Sequence, residues 1–172
     1  MRIVIDLQGA QSNSRFRGIG RYSTSLAKGI IRNAKEHEVY LLLNGMLTDT
    51  IESIREEFGA LLPQSQICVW HAYGPVNFVS QDSLFRRESA EILRESFLHS
   101  LNPDIVIVTS MIEGYDDDSV LGGKRHYVIP TASVFYDAIP LLQADKYLEE
   151  GSPYQSFYLN QIQQFWYCLD LI

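Results

Sequence analysis

No apolar run in this sequence approaches the roughly 20 residues that a membrane-spanning helix needs, and no basic-then-apolar leader opens it. Neither a membrane span nor a secretory signal is expected, and the chain reads as soluble and intracellular. Cysteine is scarce: Cys68 and Cys168 are the two present, and they have neither a disulfide-framework nor a metal-ligand spacing. Both read as small buried apolar residues in a reducing compartment. The four histidines, His37, His71, His99 and His126, are scattered without helix or hairpin spacing, so no metal site is expected. A nucleophile-elbow serine, a Walker lysine motif and a cysteine–histidine signature are all missing, which leaves hydrolase and nucleotide-triphosphatase readings without support. Positive charge is in deficit, 14 Lys and Arg against 21 Asp and Glu for a net charge of −7, and this disfavours nucleic acid as a partner. Repeats and low-complexity linkers are absent as well.

What remains is ordinary globular composition, 46% apolar and 20% charged over 172 residues, enough for one domain (1–172) with a sizeable core. Strand-like apolar runs alternate with helical patterns, the signature of parallel βαβ units and of a doubly wound α/β sheet. Ile3–Leu7 reads as the first strand, followed by a helix with Tyr22, Leu26, Ala27, Ile30 and Ile31 on its buried face. Glu38–Leu43 is a second strand closed by Asn44-Gly45, and Ile51, Ile54 and Phe58 mark a short helix. Gln66–Trp70 is a third strand, and a long connection from His71 to Asp82 follows it. The next helix is expected to bury Leu84, Phe85, Ile92, Leu93, Phe97 and Leu101, with Arg87 and Glu91 on its other side. The β-branched run Ile105–Thr109 reads as a central strand buried on both faces. Beyond a loop from Ser110 to Gly123, His126–Pro130 and Ser133–Asp137 form a strand that Pro130 interrupts or divides. Ser152-Pro153-Tyr154-Gln155 is a helix start with capping serine, first-turn proline and a glutamine three residues after the cap. That helix is expected to bury Tyr158, Ile162, Phe165, Trp166 and Leu169. Asp170-Leu171-Ile172, with its apolar Leu-Ile pair, reads as the opening of a further strand, so a second domain is expected beyond it.

Local basic charge concentrates in Arg15-Phe16-Arg17-Gly18-Ile19-Gly20-Arg21-Tyr22, between the first strand and its helix. Glycines permit close backbone approach and a helix N-terminus supplies free N–H groups, so this run reads as a phosphate-facing loop, the alternative being a purely structural surface turn in which Gly18 and Gly20 supply positive φ. Gly18-Ile19-Gly20-Arg21-Tyr22-Ser23 does not complete a dinucleotide fingerprint. Ser23 stands at the third glycine, ten residues separate Leu7 from Gly18, and the second strand ends without a ribose-binding acid. Tyr136 and Asp137 fall at a strand's carboxyl end, where open α/β sheets place ligands; Asp137 there either accepts a sugar hydroxyl or caps the following turn. Glu113–Asp118 lacks the pattern of a calcium hand and reads as a solvated acidic loop, with Glu113 close enough to the strand end to face a cleft. His71 is the one histidine directly after a strand end.

Three stretches in order, Arg17–Tyr22, Thr109–Asp117 and Tyr136-Asp137-Ala138-Ile139-Pro140-Leu141, resemble the N-terminal half of family 4 glycosyltransferases, closest to the mannosyltransferases that build bacterial O-antigen and other surface polysaccharides. The resemblance spans essentially the whole chain. It implies the acceptor-side, Rossmann-like lobe of a two-lobed GT-B fold, with a C-terminal donor-binding lobe outside this chain and no catalysis by the fragment alone. The implied reaction is retaining transfer of a sugar, mannose by resemblance, from a nucleotide-diphosphate donor such as GDP-mannose to a polysaccharide or lipid-linked acceptor, without a further cofactor or metal. Gly18, Gly20, Arg21 and Arg17 are then expected at the donor diphosphate, Asp137 and Tyr136 in the catalytic neighbourhood, and Tyr22, Ser110, Glu113 and His71 along the acceptor-side cleft. Tyr136 stands where the family often has histidine. A cytoplasmic location, with peripheral contact at the inner face of the plasma membrane, is implied by the resemblance alone. A non-catalytic Rossmann-like domain that binds a glycan or nucleotide is the alternative.

Overall fold

The structure is a computed structural model that describes residues 1–80, 83–122, 129–136 and 138–166. Five strands, β1 (Arg2–Asp6), β2 (Glu38–Asn44), β3 (Ile67–Trp70), β4 (Ile105–Val108) and β5 (Thr131–Ser133), form one sheet in the order β3-β2-β1-β4-β5. Every pairing is parallel, with Ile3 beside Val39 on one flank and Ile105 on the other. The chain winds from β1 outward to β3 through α1 (Gly18–Asn33) and α2 (Ile51–Phe58), then returns through α3 (Leu84–Ser100) to β4 on the opposite side of β1. That reversal creates a switch point at the carboxyl ends of β1 and β4. Two short helices, α4 (Ile139–Leu142) and α5 (Ala144–Tyr147), lead to α6 (Pro153–Trp166).

Side-chain alternation along the strands feeds two cores. Ile5, Val39, Leu41 and Leu43 join Ala27 of α1 and Ile54 and Phe58 of α2 on one face. Val4, Leu42, Val106 and Val108 join Ala90 and Leu98 of α3 and Phe165 of α6 on the other. The start of α6 follows its sequence signal: the Ser152 hydroxyl accepts from the Gln155 N–H at 3.1 Å, and the Gln155 side chain accepts from the Gly151 N–H at 2.9 Å.

Several expectations are corrected. The strand after the 110–123 loop is Thr131–Ser133, with Ile129 and Pro130 ahead of it; the Pro130 carbonyl still accepts from Val106 N–H, so the missing proline donor costs the ladder nothing. His126, Asp137, Cys168 and Leu169 lie outside the described residues. β4 is fully buried only on its Val106 and Val108 side, while Ile105 and Ile107 are half-buried. Cys68 is likewise half-buried, and burial pushes its thiol pKa up. Tyr22 is half exposed rather than part of the α1 core.

The largest correction concerns α3, whose buried residues are Ala90, Glu91, Arg94, Glu95 and Leu98, whereas Phe85 is 78% exposed and Leu84, Ile92 and Leu93 also face outward. The reason is Asp6, fully buried at the end of β1. Arg94 reaches it through Nε at 2.8 Å and Nη2 at 2.6 Å, a two-pronged pair with both partners inside the protein. An isolated carboxylate there costs far more than a few exposed apolar side chains, so the ion pair sets the rotation of the helix. Arg94→Met leaves Asp6 without its counter-ion and should lower unfolding free energy by about 3–5 kcal/mol in denaturant melts. Adding Asp6→Asn to that variant should restore a large part of the loss; equal stability of wild type and Arg94→Met would remove the ion pair from this role.

Candidate functional site

The carboxyl ends of β1 and β4 are bound together by buried polar groups. The Asp6 carboxylate accepts from the Gln8 backbone and side chain, and the Gln8 amide in turn donates to Val120 O and accepts from Val120 N–H, each at 2.8 Å. Asn44 Nδ2 adds bonds to Gln8 Oε1 and Asp118 O. The Asp118 carboxylate accepts from the backbones of Val76 and Asn77, and Asp117 accepts from Asn13 N–H at 2.7 Å and Ser119 N–H at 3.0 Å. Thus 113–118 is not a solvated acidic loop: Asp117 and Asp118 are spent on backbone donors, and only Asp116 is exposed. An acid in a strand-end loop does not announce that it will cap amides from segments dozens of residues away.

Glu113 is the central titratable group. It is 4% exposed, and its Oε1 accepts from the buried Ser110 hydroxyl at 2.7 Å. Burial pushes its carboxyl up to about 7, against the hydroxyls of Ser12, Ser110 and Ser14, which favour the charged form; nearby Asp117 adds to the rise. Tyr136 stands close by, its hydroxyl 3.3 Å from Ser23 Oγ and its ring edge-on to Tyr22 at 5.3 Å. Burial also raises the Tyr136 phenol, with Tyr22 and Glu113 contributing in the same direction.

Gly18 and Gly20 are placed in the first turn of α1 rather than in a free loop, which instead consists of two 3-10 turns, Gln8–Ala10 and Asn13–Phe16. A Cβ on Gly20 would overlap the Arg15 backbone, so this glycine lets the second turn pack on the helix. A Cβ on Gly18 meets nothing within 4 Å. Gly9, which sequence reasoning passed over, packs where a Cβ would lie 2.6 Å from Ser23 Oγ and 2.9 Å from Ser110 Cβ. Arg17 caps α1 through its backbone, with no side-chain cap bond.

The arginines divide between two clefts. Arg17 lines one of about 200 Å³ with Glu113, Tyr115, Asp116 and Tyr154. Arg15 and Arg21 line another of about 690 Å³ between α1 and α2, with Lys28, Asp49 and Glu57. The structure therefore gathers Ser110, Glu113, Tyr136 and Tyr22 near the switch point and sets Arg17 beside Glu113. His71 is not gathered with them: it follows the edge strand β3, is exposed and lies against Gly45. Among the described residues no group of three or more His, Cys, Asp or Glu side chains could hold a metal ion, and no helix is long and apolar enough to cross a membrane.

A parallel five-stranded sheet in this order, with helices on both faces and polar residues gathered at the switch point, is a Rossmann-like α/β domain of the kind found in glycosyltransferases. Over 168 residues, 96% of its length, the chain is 35% identical to the serotype-specific mannosyltransferase WbdA of Escherichia coli. A second Escherichia coli protein of that name is 32% identical over 143 residues, 81% of the chain. The chain spans about a fifth of the length of these relatives, 20% and 17% respectively. It therefore resembles one segment of a mannosyltransferase. No family model matches, and no solved structure matches.

Two measurements test the site's physics. Glu113 binds its proton more tightly folded than unfolded, so its contribution to stability is complete below about pH 4.5 and is lost as pH rises through about 7. Stability should fall across this window by an amount on the order of 3 kcal/mol, and Glu113→Gln should flatten that slope in urea melts. Separately, Gly20→Ala should destabilise by about 1–3 kcal/mol through the Arg15 clash, whereas Gly18→Ala should leave the melting temperature unchanged or higher. Equal effects at the two glycines would contradict the packing described.

Proposed function

We propose that this chain is the acceptor-side lobe of a retaining glycosyltransferase, and that the whole protein moves mannose from a nucleotide-diphosphate donor, GDP-mannose, to a growing polysaccharide or lipid-linked glycan. The observation that carries this reading is the near-full-length similarity to a protein named a mannosyltransferase. The donor's nucleotide end belongs to a C-terminal lobe beyond these residues, and the fragment alone does not transfer sugar. The reaction is placed in the cytoplasm, against the inner face of the membrane that carries the acceptor.

In this reading the N-terminus of α1 faces the diphosphate. Free N–H groups at Gly18, Ile19 and Gly20 and the guanidinium group of Arg21 offset the negative charge that grows on the departing nucleoside diphosphate, whereas Arg17, expected there from the sequence, lines the separate cleft beside Glu113. Tyr136, Asp137 and the half-exposed Tyr22 border the reacting sugar, while Ser110 and Glu113 shape the floor beneath the acceptor. Closure of a second lobe over this face would exclude water and so spare the donor from hydrolysis. The switch-point location of Glu113, Ser110 and Tyr136 supports this arrangement, since α/β sheets bind ligands there.

The test is radiolabelled sugar transfer by the full-length protein, offered GDP-mannose and other sugar nucleotides with a membrane-lipid extract. Arg21→Ala is expected to lower transfer roughly 100-fold. An undiminished rate would take Arg21 out of the donor site. A folded protein that neither transfers sugar nor binds any sugar nucleotide would sink the enzyme reading.

A further inference from the structure

We propose that the cleft between Tyr115, Tyr154 and Asp116 is a subsite that holds one sugar unit of the acceptor glycan; the assignment rests on the glycosyltransferase reading above. One wall is aromatic. Tyr115 stacks near-parallel on Phe78 at 6.2 Å and meets Tyr154 edge-on at 5.2 Å and Phe157 at 5.3 Å, so its ring is fixed in place before any ligand arrives. Asn13, Ser14, Arg17 and Asp116 supply the polar part of the lining. Arg17 and Asp116 are exposed, and neither side chain is engaged by another described residue.

This pairing suits a pyranose. A sugar ring has an apolar C–H face and an edge of hydroxyls, each of which both donates and accepts; an aromatic plane covers the first, while carboxylate, amide and guanidinium groups take up the second. A phosphate fits poorly. Asp116 and Asp117 set two acids against the single cation Arg17 in the lining, and Glu113 adds a third charge as it ionises, so the field on this side of the loop repels an anion and favours a neutral polyol. The groove between α1 and α2 has the opposite character, with Arg15, Arg21 and Lys28 facing Asp49 and Glu57. The cleft volume of about 200 Å³ accommodates a single residue of a chain. Its lining also contains Glu113, so a sugar seated there has the switch point beside it.

The experiment is an NMR titration of the chain with methyl α-mannoside, α-mannotriose and maltotriose, following the ring signals of Tyr115 and Tyr154. At least one saccharide is expected to shift both rings, and Asp116→Ala should weaken that saccharide's Kd about tenfold, the loss of one charged hydrogen bond, with the melting temperature unchanged. If every saccharide leaves Tyr115 unperturbed, or if Asp116→Ala binds as tightly as wild type, the subsite is overturned. A parallel sugar-transfer assay on the full-length protein separates the two readings. Transfer without saccharide effects at Tyr115 removes the subsite and leaves the transferase; a full-length protein that neither transfers sugar nor binds a sugar nucleotide, with Tyr115 silent, removes both.

Discussion

A single buried carboxylate organises this domain. Asp6 ends the central strand with its side chain fully inside the protein, and the low-dielectric interior demands that the charge be answered. Arg94 answers it from α3, Gln8 from the turn that follows, and Thr109 ties the Asp6 carbonyl to the end of β4 through both N–H and hydroxyl. Because the Gln8 amide is also bonded on both sides to the Val120 backbone, the same few atoms fix the rotation of a helix, the meeting of two strand ends and the return of a loop. Apolar burial alone could be satisfied by several rotations of α3. The charge admits one.

The candidate site inherits its rigidity from that arrangement. The loop from Glu113 to Gly122 crosses the switch point pinned by Gln8, Asn44 and Asn13, and by Arg94 donating to the Gly122 carbonyl at 3.5 Å. Such pinning holds Glu113 beneath the second 3-10 turn, where three serine hydroxyls compensate only part of its desolvation. The result is a carboxyl that changes charge near neutrality next to a surface offering tyrosine rings, a free carboxylate and a helix N-terminus. Tyrosine rings and a carboxylate therefore line one cleft, and arginines and a lysine with their acidic partners line another.

Much of this was legible in the chain itself. Strands β1 to β4, helices α1, α2 and α6 and the capping serine of α6 fall where periodicity and turn residues place them, since those signals are local. The strand-end positions of Glu113 and Tyr136 were readable too, because parallel strands carry their carboxyl ends to one edge of the sheet, but His71, expected in the same cleft, follows the edge strand β3 and is not gathered with them. The burial of α3 was not. Phe85, Ile92 and Leu93 form the more obvious apolar stripe, and nothing within the helix reveals that an aspartate 88 residues earlier claims Arg94. The acidic run Asp116-Asp117-Asp118 misled for the same reason, as its bonding partners lie 42 and 104 residues away at Val76 and Asn13.

The sequence by itself determined the alternation of strands and helices, and with it a parallel sheet with layers on both faces, because hydrophobic period and chain connectivity act between near neighbours. It also determined where the cationic run falls, although α1 begins within that run, at Gly18. Tertiary structure alone decided which side of α3 turns inward, which of the acids keep their charge for solvent, and which arginine stands beside Glu113. Those outcomes follow from desolvation and pairing between segments far apart in the chain, whose energies exist only once the segments meet.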